Sequence, residues 1–191
     1  MLAALGCKKD PVEAVLPNEV KLSASIVYLN SIEVDYIPDF QYDSINRVMS
    51  YGFVQTRNQG QIENLFGFGL LPYKTGEFEL TDENIVYVKA RASFGQTIGE
   101  DSEGYEYKLM DADEGFFHVE YLDTVKLEVK GRFKAKFCRT SKNGNRDLDL
   151  PKNLVFQGVF YENYVIKEWE LNKGTNLAAL FCPSFRYSSV V

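Results

Sequence analysis

Oxygen ligands recur at every second residue along Asn143, Asn145, Asp147 and Asp149, the spacing by which a loop wraps a hard cation such as calcium. Asp111, Asp113 and Glu114 repeat the pattern more briefly, and Glu100, Asp101 and Glu103 supply charge without the spacing. No stretch completes an EF-hand loop, which requires Gly at its sixth position and Glu at its twelfth. Turn chemistry accounts for the same residues, because Asn, Asp and Gly populate tight turns in any case. The expectation is therefore no cofactor, with calcium at 143–149 as the alternative. Asp111, Asp113 and Asp147 also offer the carboxylates of a hydrolase, should the strands bring those loops together. His118 is the one imidazole, and it stands alone on the polar side of a strand pattern. No Gly-x-Ser-x-Gly elbow, zinc-protease motif, phosphate loop or dinucleotide fingerprint occurs, so the expectation is a protein without catalysis.

Aromatic side chains offer a second kind of site. Phe66 and Phe68 share one strand face while Gly67 and Gly69 leave the opposite face bare. With Tyr105 and Tyr107 they make a candidate platform for a carbohydrate or a small apolar ligand. A neighbour's ring filling the bare face is the structural alternative, and the favoured one. Cys138 and Cys182 would pair in an oxidising compartment, closing a loop that stabilises the fold by about 4 kcal/mol on the chain-entropy model; buried unpaired cysteines are the alternative. Lys126, Lys130, Arg132, Lys134 and Lys136 form a basic ladder on one strand face. The ladder suits either anionic glycans and phosphates or a solvated face with Glu120 and Glu128 beside it, and the second reading is preferred.

The elements that must position these residues are strands. Between Phe117 and Phe137 every odd position except Asp123 and Gly131 is apolar, while the even positions are nearly all polar. A period of two marks a strand buried on one face. Asp123-Thr124 supplies a reversal, giving a hairpin of Phe116–Tyr121 against Val125–Phe137, with Gly131 allowing the long second strand to bend between sheets. Earlier, Val20 to Tyr36 reads as a hairpin about Asn30-Ser31, ended by Pro38 and Asp39. Further strands follow at 47–56, 62–71, 77–80, 85–94 and 105–109. Leu154 to Ile166 is apolar at both parities, as in a strand at a sheet's centre. Turns every eight to fifteen residues and the lack of any helical pattern predict an all-β fold, an antiparallel β-sandwich or alternatively a β-barrel, of about nine or ten strands.

The 191 residues suffice for one domain with tails, and 12 Tyr and 14 Phe suit half-buried pleated surfaces. A net charge of -6 argues against nucleic acid as partner. Ala4-Leu5-Gly6-Cys7 resembles a bacterial lipobox, with Ala4 where Leu is usual. The five-residue apolar run before it is shorter than a normal signal core, which implies a start placed too late or a trimmed sequence. The resemblance implies acyl chains, palmitate among them, on Cys7 and an outer-membrane lipoprotein facing the periplasm or the cell surface; two or three chains hold where one does not. Lys8-Lys9-Asp10 is similar to lipoproteins of Bacteroidota-type bacteria. Val20 to Ile26, Gly76 to Leu80, Gly115 to Asp123, Val129 to Phe137 and Phe156 to Phe160 together resemble an uncharacterised, single-domain, β-rich lipoprotein family of those bacteria.

The expected layout is therefore residues 1–7 as a signal remnant, 8–19 as a flexible tether, 20–166 as the domain and 167–191 as an extension. The expected function is a lipid-anchored envelope protein with a binding or structural role, its partners a membrane through the lipid and a glycan or envelope protein. A carrier of carbohydrate or small apolar ligands is the alternative.

Overall fold

The computed structural model describes residues 13–19, 21, 24–56, 62–82, 89–96, 105–142 and 151–167. They form β1 (Ala24–Leu29), β2 (Ile32–Val34), β3 (Ile37–Asp43), β4 (Val48–Thr56), β5 (Ile62–Pro72) and β6 (Gly76–Thr81). Then come β7 (Ala90–Gln96), β8 (Tyr105–Met110), β9 (Phe116–Asp123), β10 (Glu128–Lys142), β11 (Asn153–Asn163) and β12 (Val165–Lys167). The fold is all-β, as the alternation predicts, and no helix occurs among the described residues.

The strands build one sheet in the order β12-β3-β4-β5-β7-β6-β9-β10-β11-β1-β2, with β8 beside β10. Pairing is antiparallel except between β6 and β7 and between β12 and β3. β6 is the hinge of the sheet. Gly76 to Glu79 pair with β9, whereas Leu80 and Thr81 pair with β7. The path ends at β12 and β2, so the sheet is open, and it curls until its two halves face each other.

Aromatic rings fill the space between the halves. Phe66 of β5 stacks on Phe156 of β11 with centroids 4.4 Å apart. Phe53 of β4 meets Phe133 of β10 at 4.8 Å, and Phe68 meets Phe117 of β9 at 4.6 Å. Phe40 of β3 meets Phe160 at 4.9 Å in an edge contact. Each such pair adds about 1 kcal/mol beyond the area it buries. The inward residues Phe133, Ala135 and Phe137 are the odd members of the period-two run, so the pattern that predicts the strand also builds the core.

Among the described residues twelve strands stand where nine or ten are expected, and the difference has identifiable sources. β12 is only three residues long, too short to show alternation, and its first two residues are expected as the end of the strand from Leu154 to Ile166. Pro38 and Asp39, expected to end a hairpin, lie inside β3. β12 pairs only with Gln41 to Asp43, so the Ile37 to Phe40 half of β3 has an open edge, where a residue without an N–H is tolerated. Val125 and Leu127 also differ from expectation, since Thr124 to Leu127 form the turn and β10 begins at Glu128. Asp123 decides this: its Oδ1 accepts the backbone N–H groups of Val125 and Lys126 at 2.9 and 2.8 Å.

Gly131 sits at a register shift between β9 and β10, and beyond Lys134 the partner of β10 changes from β9 to β8. β11 lies between β10 and β1, the central position its two apolar faces require.

Candidate functional site

The outer face of β9, β10 and β11 carries the basic ladder, because the even residues of β10 from Lys130 to Lys136 alternate with the buried Gly131, Phe133, Ala135 and Phe137. Most of its charge is met locally. Arg132 Nε donates to Glu120, and Lys136 Nζ lies 2.5 Å from Glu114 of the β8–β9 turn. That ammonium, hydrogen-bonded to the Glu114 carboxyl, holds it below its ordinary range. Lys134 Nζ lies 2.7 Å from Glu13, and Lys136 reaches the same carboxylate at 4.0 Å. Lys126 stands apart from the ladder, exposed in the β9–β10 turn.

Glu13 belongs to the stretch expected to be a free tether. Its neighbour Ala14 accepts a hydrogen bond from Gln157 Nε2, and Gln157, opposite Lys134 in register, is 3% exposed. Residues 13 and 14 thus rest on the outer face of β10 and β11. The sequence carries a faint signal of this: Val155, Gln157 and Val159 make the outer side of β11 too apolar for open water, and all three are buried.

At one end of the curled sheet three tyrosines meet. Tyr42 stacks on Tyr73 with centroids 3.9 Å apart, and the Tyr73 hydroxyl is hydrogen-bonded to that of Tyr164. Burial, then the Tyr73 hydrogen bond, pushes the Tyr164 phenol far above its ordinary value. Nearby, Tyr51 is pushed up by burial, and its hydroxyl faces Met49 Sδ at 3.4 Å. Tyr164 and Tyr51 are thereby held neutral and act as rigid fillers. Glu162 is raised from its ordinary value by partial burial, while the hydroxyl of Ser25, which donates to it at 3.0 Å, acts in the opposite sense.

The expected ligand platform takes a different place. Phe66 and Phe68 are wholly buried among the core rings, so they are packing residues and present no aromatic surface. Tyr107 is buried too, edge-on to Phe94, with its hydroxyl donating to the Pro151 carbonyl at 2.9 Å. Tyr105 opens β8, and its side chain lies outside the described residues. The structure therefore brings three of the four together with the core.

Cys138 is half-buried on β10, where its Sγ faces the Arg139 carbonyl at 3.7 Å; Cys182 lies outside the described residues, as do Cys7 and the loop of Asn143, Asn145, Asp147 and Asp149. Asp111 and Asp113 are exposed in a tight turn closed by Glu114 N–H donating to the Asp111 carbonyl at 2.8 Å. His118 is half-buried on the outer face, between Glu77 and Arg132 in register. Among the described residues no three His, Cys, Asp or Glu side chains converge as metal ligands. Comparison with family models, curated proteins and solved structures yields no match for this chain.

Proposed function

We propose that this chain is a lipid-anchored protein of the bacterial cell envelope, akin to the β-rich Bacteroidota lipoproteins it resembles, with a binding or structural role and no catalysis. Its anchor is Cys7, and its site is the outer membrane, facing the periplasm or the surface. The curled sheet serves as a β-sandwich, the two facing halves being its layers and β6 the strand that joins them.

One observation supports the non-catalytic, non-carrier reading above the others. The aromatic side chains that a small-ligand carrier would expose are stacked on one another, Phe66 on Phe156 and Phe68 against Phe117 and Phe133, in the middle of the molecule. Interiors packed at crystal-like density leave recognition to the surface.

Growth of a bacterium expressing the chain behind a complete signal sequence, fed radiolabelled palmitate, tests the anchor. Wild-type protein takes up label and fractionates with membranes, and Cys7→Ser loses both. Equal labelling of the two, or cytosolic wild-type protein, overturns the reading.

A further inference from the structure

Two hairpin turns at one end of the sheet are built to one plan. In the β3–β4 turn, Asp43 Oδ1 accepts the N–H groups of Ile45 and Asn46 at 3.0 and 3.1 Å. In the β9–β10 turn, Asp123 does the same for Val125 and Lys126. Each turn then passes through a left-handed residue, Arg47 at φ 54° and Leu127 at φ 59°, before its strand resumes. Asp-Ser-Ile and Asp-Thr-Val are thus equivalent, and each places a β-branched aliphatic at its tip. The turn does not ask for this, because the aspartate cap and the left-handed residue make the reversal, and polar side chains are the usual occupants.

The tips are open to solvent, Ile45 at 54% and Val125 at 89%. They have company. Val165 and Ile166 of β12 are 56% and 49% exposed. Backbone bonds join these pieces into one rim: Tyr164 N–H donates to the Leu127 carbonyl at 2.9 Å, and Ser44 N–H to the Lys167 carbonyl at 3.0 Å. The stacked Tyr42 and Tyr73 lie between them. Single exposed aliphatics need no explanation, but four on one rim do.

Charge tells what the rim meets. Arg47, Lys74 and Lys126 are exposed beside the aliphatic tips, in three separate turns. The acids at this end are half-buried and engaged, Asp43 and Asp123 as caps, Glu128 by the Tyr161 hydroxyl at 3.3 Å and Glu162 by that of Ser25 at 3.0 Å. Asp111, Asp113 and Glu114 lie in the β8–β9 turn, away from this rim. Aliphatic tips, interfacial tyrosines and basic neighbours are the combination that seats a protein shallowly in an anionic bilayer.

We propose that this end is a membrane-docking face, with Ile45, Val125, Val165 and Ile166 entering the boundary between headgroups and acyl chains of anionic lipids. Arg47, Lys74 and Lys126 meet the lipid phosphates. The docking deepens the envelope reading, and it requires no acyl chain on Cys7, so the two are separable.

The test uses the full chain carrying Cys7→Ser, sedimented with phosphatidylcholine vesicles with or without phosphatidylglycerol. Binding is expected only with phosphatidylglycerol and is weakened by salt. Ile45→Asp with Val125→Asp lowers the affinity by at least about tenfold, and Lys74→Glu with Lys126→Glu does likewise. Circular dichroism of each variant verifies the fold, which exposed turn positions leave intact. Vesicle binding unchanged in both variant pairs, or no binding by the parent, overturns the proposal. Concentration-dependent dimers that the tip aspartates abolish also overturn it, by assigning the rim to a second copy. Failure here together with palmitate on Cys7 leaves the anchor standing without the docking face.

Discussion

The carbonyl of His118 occupies the space that a β-carbon on Gly131 would need. Such an atom would also stand 2.7 Å from the Phe160 ring. Gly131 is therefore fixed by the close approach of β9 at the register shift within the β9–β10 pairing.

Gly131→Ala should cost about 3 kcal/mol, because backbone and a core ring must both move to admit one methyl group. Gly95→Ala is the control, since nothing lies within 4 Å of its added carbon. It should change stability by less than about 1 kcal/mol. Urea unfolding of the two variants separates these outcomes, and equal effects would dismiss the packing argument.

Phe66→Ala should destabilise by about 4 kcal/mol, the loss expected for a ring wholly surrounded by other rings. Phe66 touches Phe53, Phe68, Phe133, Phe137 and Phe156, so the cavity cannot collapse without repacking both halves. The denaturant midpoint should fall while the slope of the transition stays constant. A near-neutral effect would mean that the site is a ligand pocket able to lose its ring.

Glu162→Gln should raise the melting temperature at neutral pH and leave it unchanged in acid. The carboxyl is raised in the folded protein, so its protonated form is the favoured one there. The stability it contributes is complete below the ordinary glutamate value of about 4.3 and is lost as pH rises through the raised folded value. Glutamine keeps the acceptor for Ser25 and never ionises. Calorimetry of both proteins across this range should show the gap opening with pH; a constant gap, or a more stable wild type at neutrality, contradicts the burial.

Glu13→Ala and Lys134→Ala should be coupled by about 0.5 kcal/mol in a double-mutant cycle, shrinking as salt is added. The pair is partly exposed, so a larger coupling is not expected. Zero coupling at low salt would free residues 13 and 14 from the sheet.

Alternation revealed what repeats and missed what happens once. The Phe117 to Phe137 run places Phe133, Ala135 and Phe137 inside because strand geometry reverses side chains strictly by twos. Asn30-Ser31 reads as a turn because both residues accept positive φ, at 49° and 70°. Pro38 misleads, since its meaning depends on whether an edge is open, which only tertiary structure decides. The parallel pairing of β12 with β3 and the seat of Glu13 on Lys134 join segments more than a hundred residues apart, and no local pattern encodes them. Phe66 and Phe68 look alike whether they bind a ligand or each other. Val125 reads as strand because it keeps the odd parity of its neighbours, although the Asp123 cap ends the strand before it.

Ser25 and Glu162 lie 137 residues apart in the chain, yet they belong to adjacent strands. A ribosome or a secretion pore therefore delivers the first hairpin long before the strand that must receive it. At about 5–20 residues per second the wait is roughly 7 to 30 s, and a lone two-stranded ribbon is marginal in water for that time. The newborn amino-terminal ribbon therefore has no partner for the β11 side of β1 until nearly the whole chain has been made.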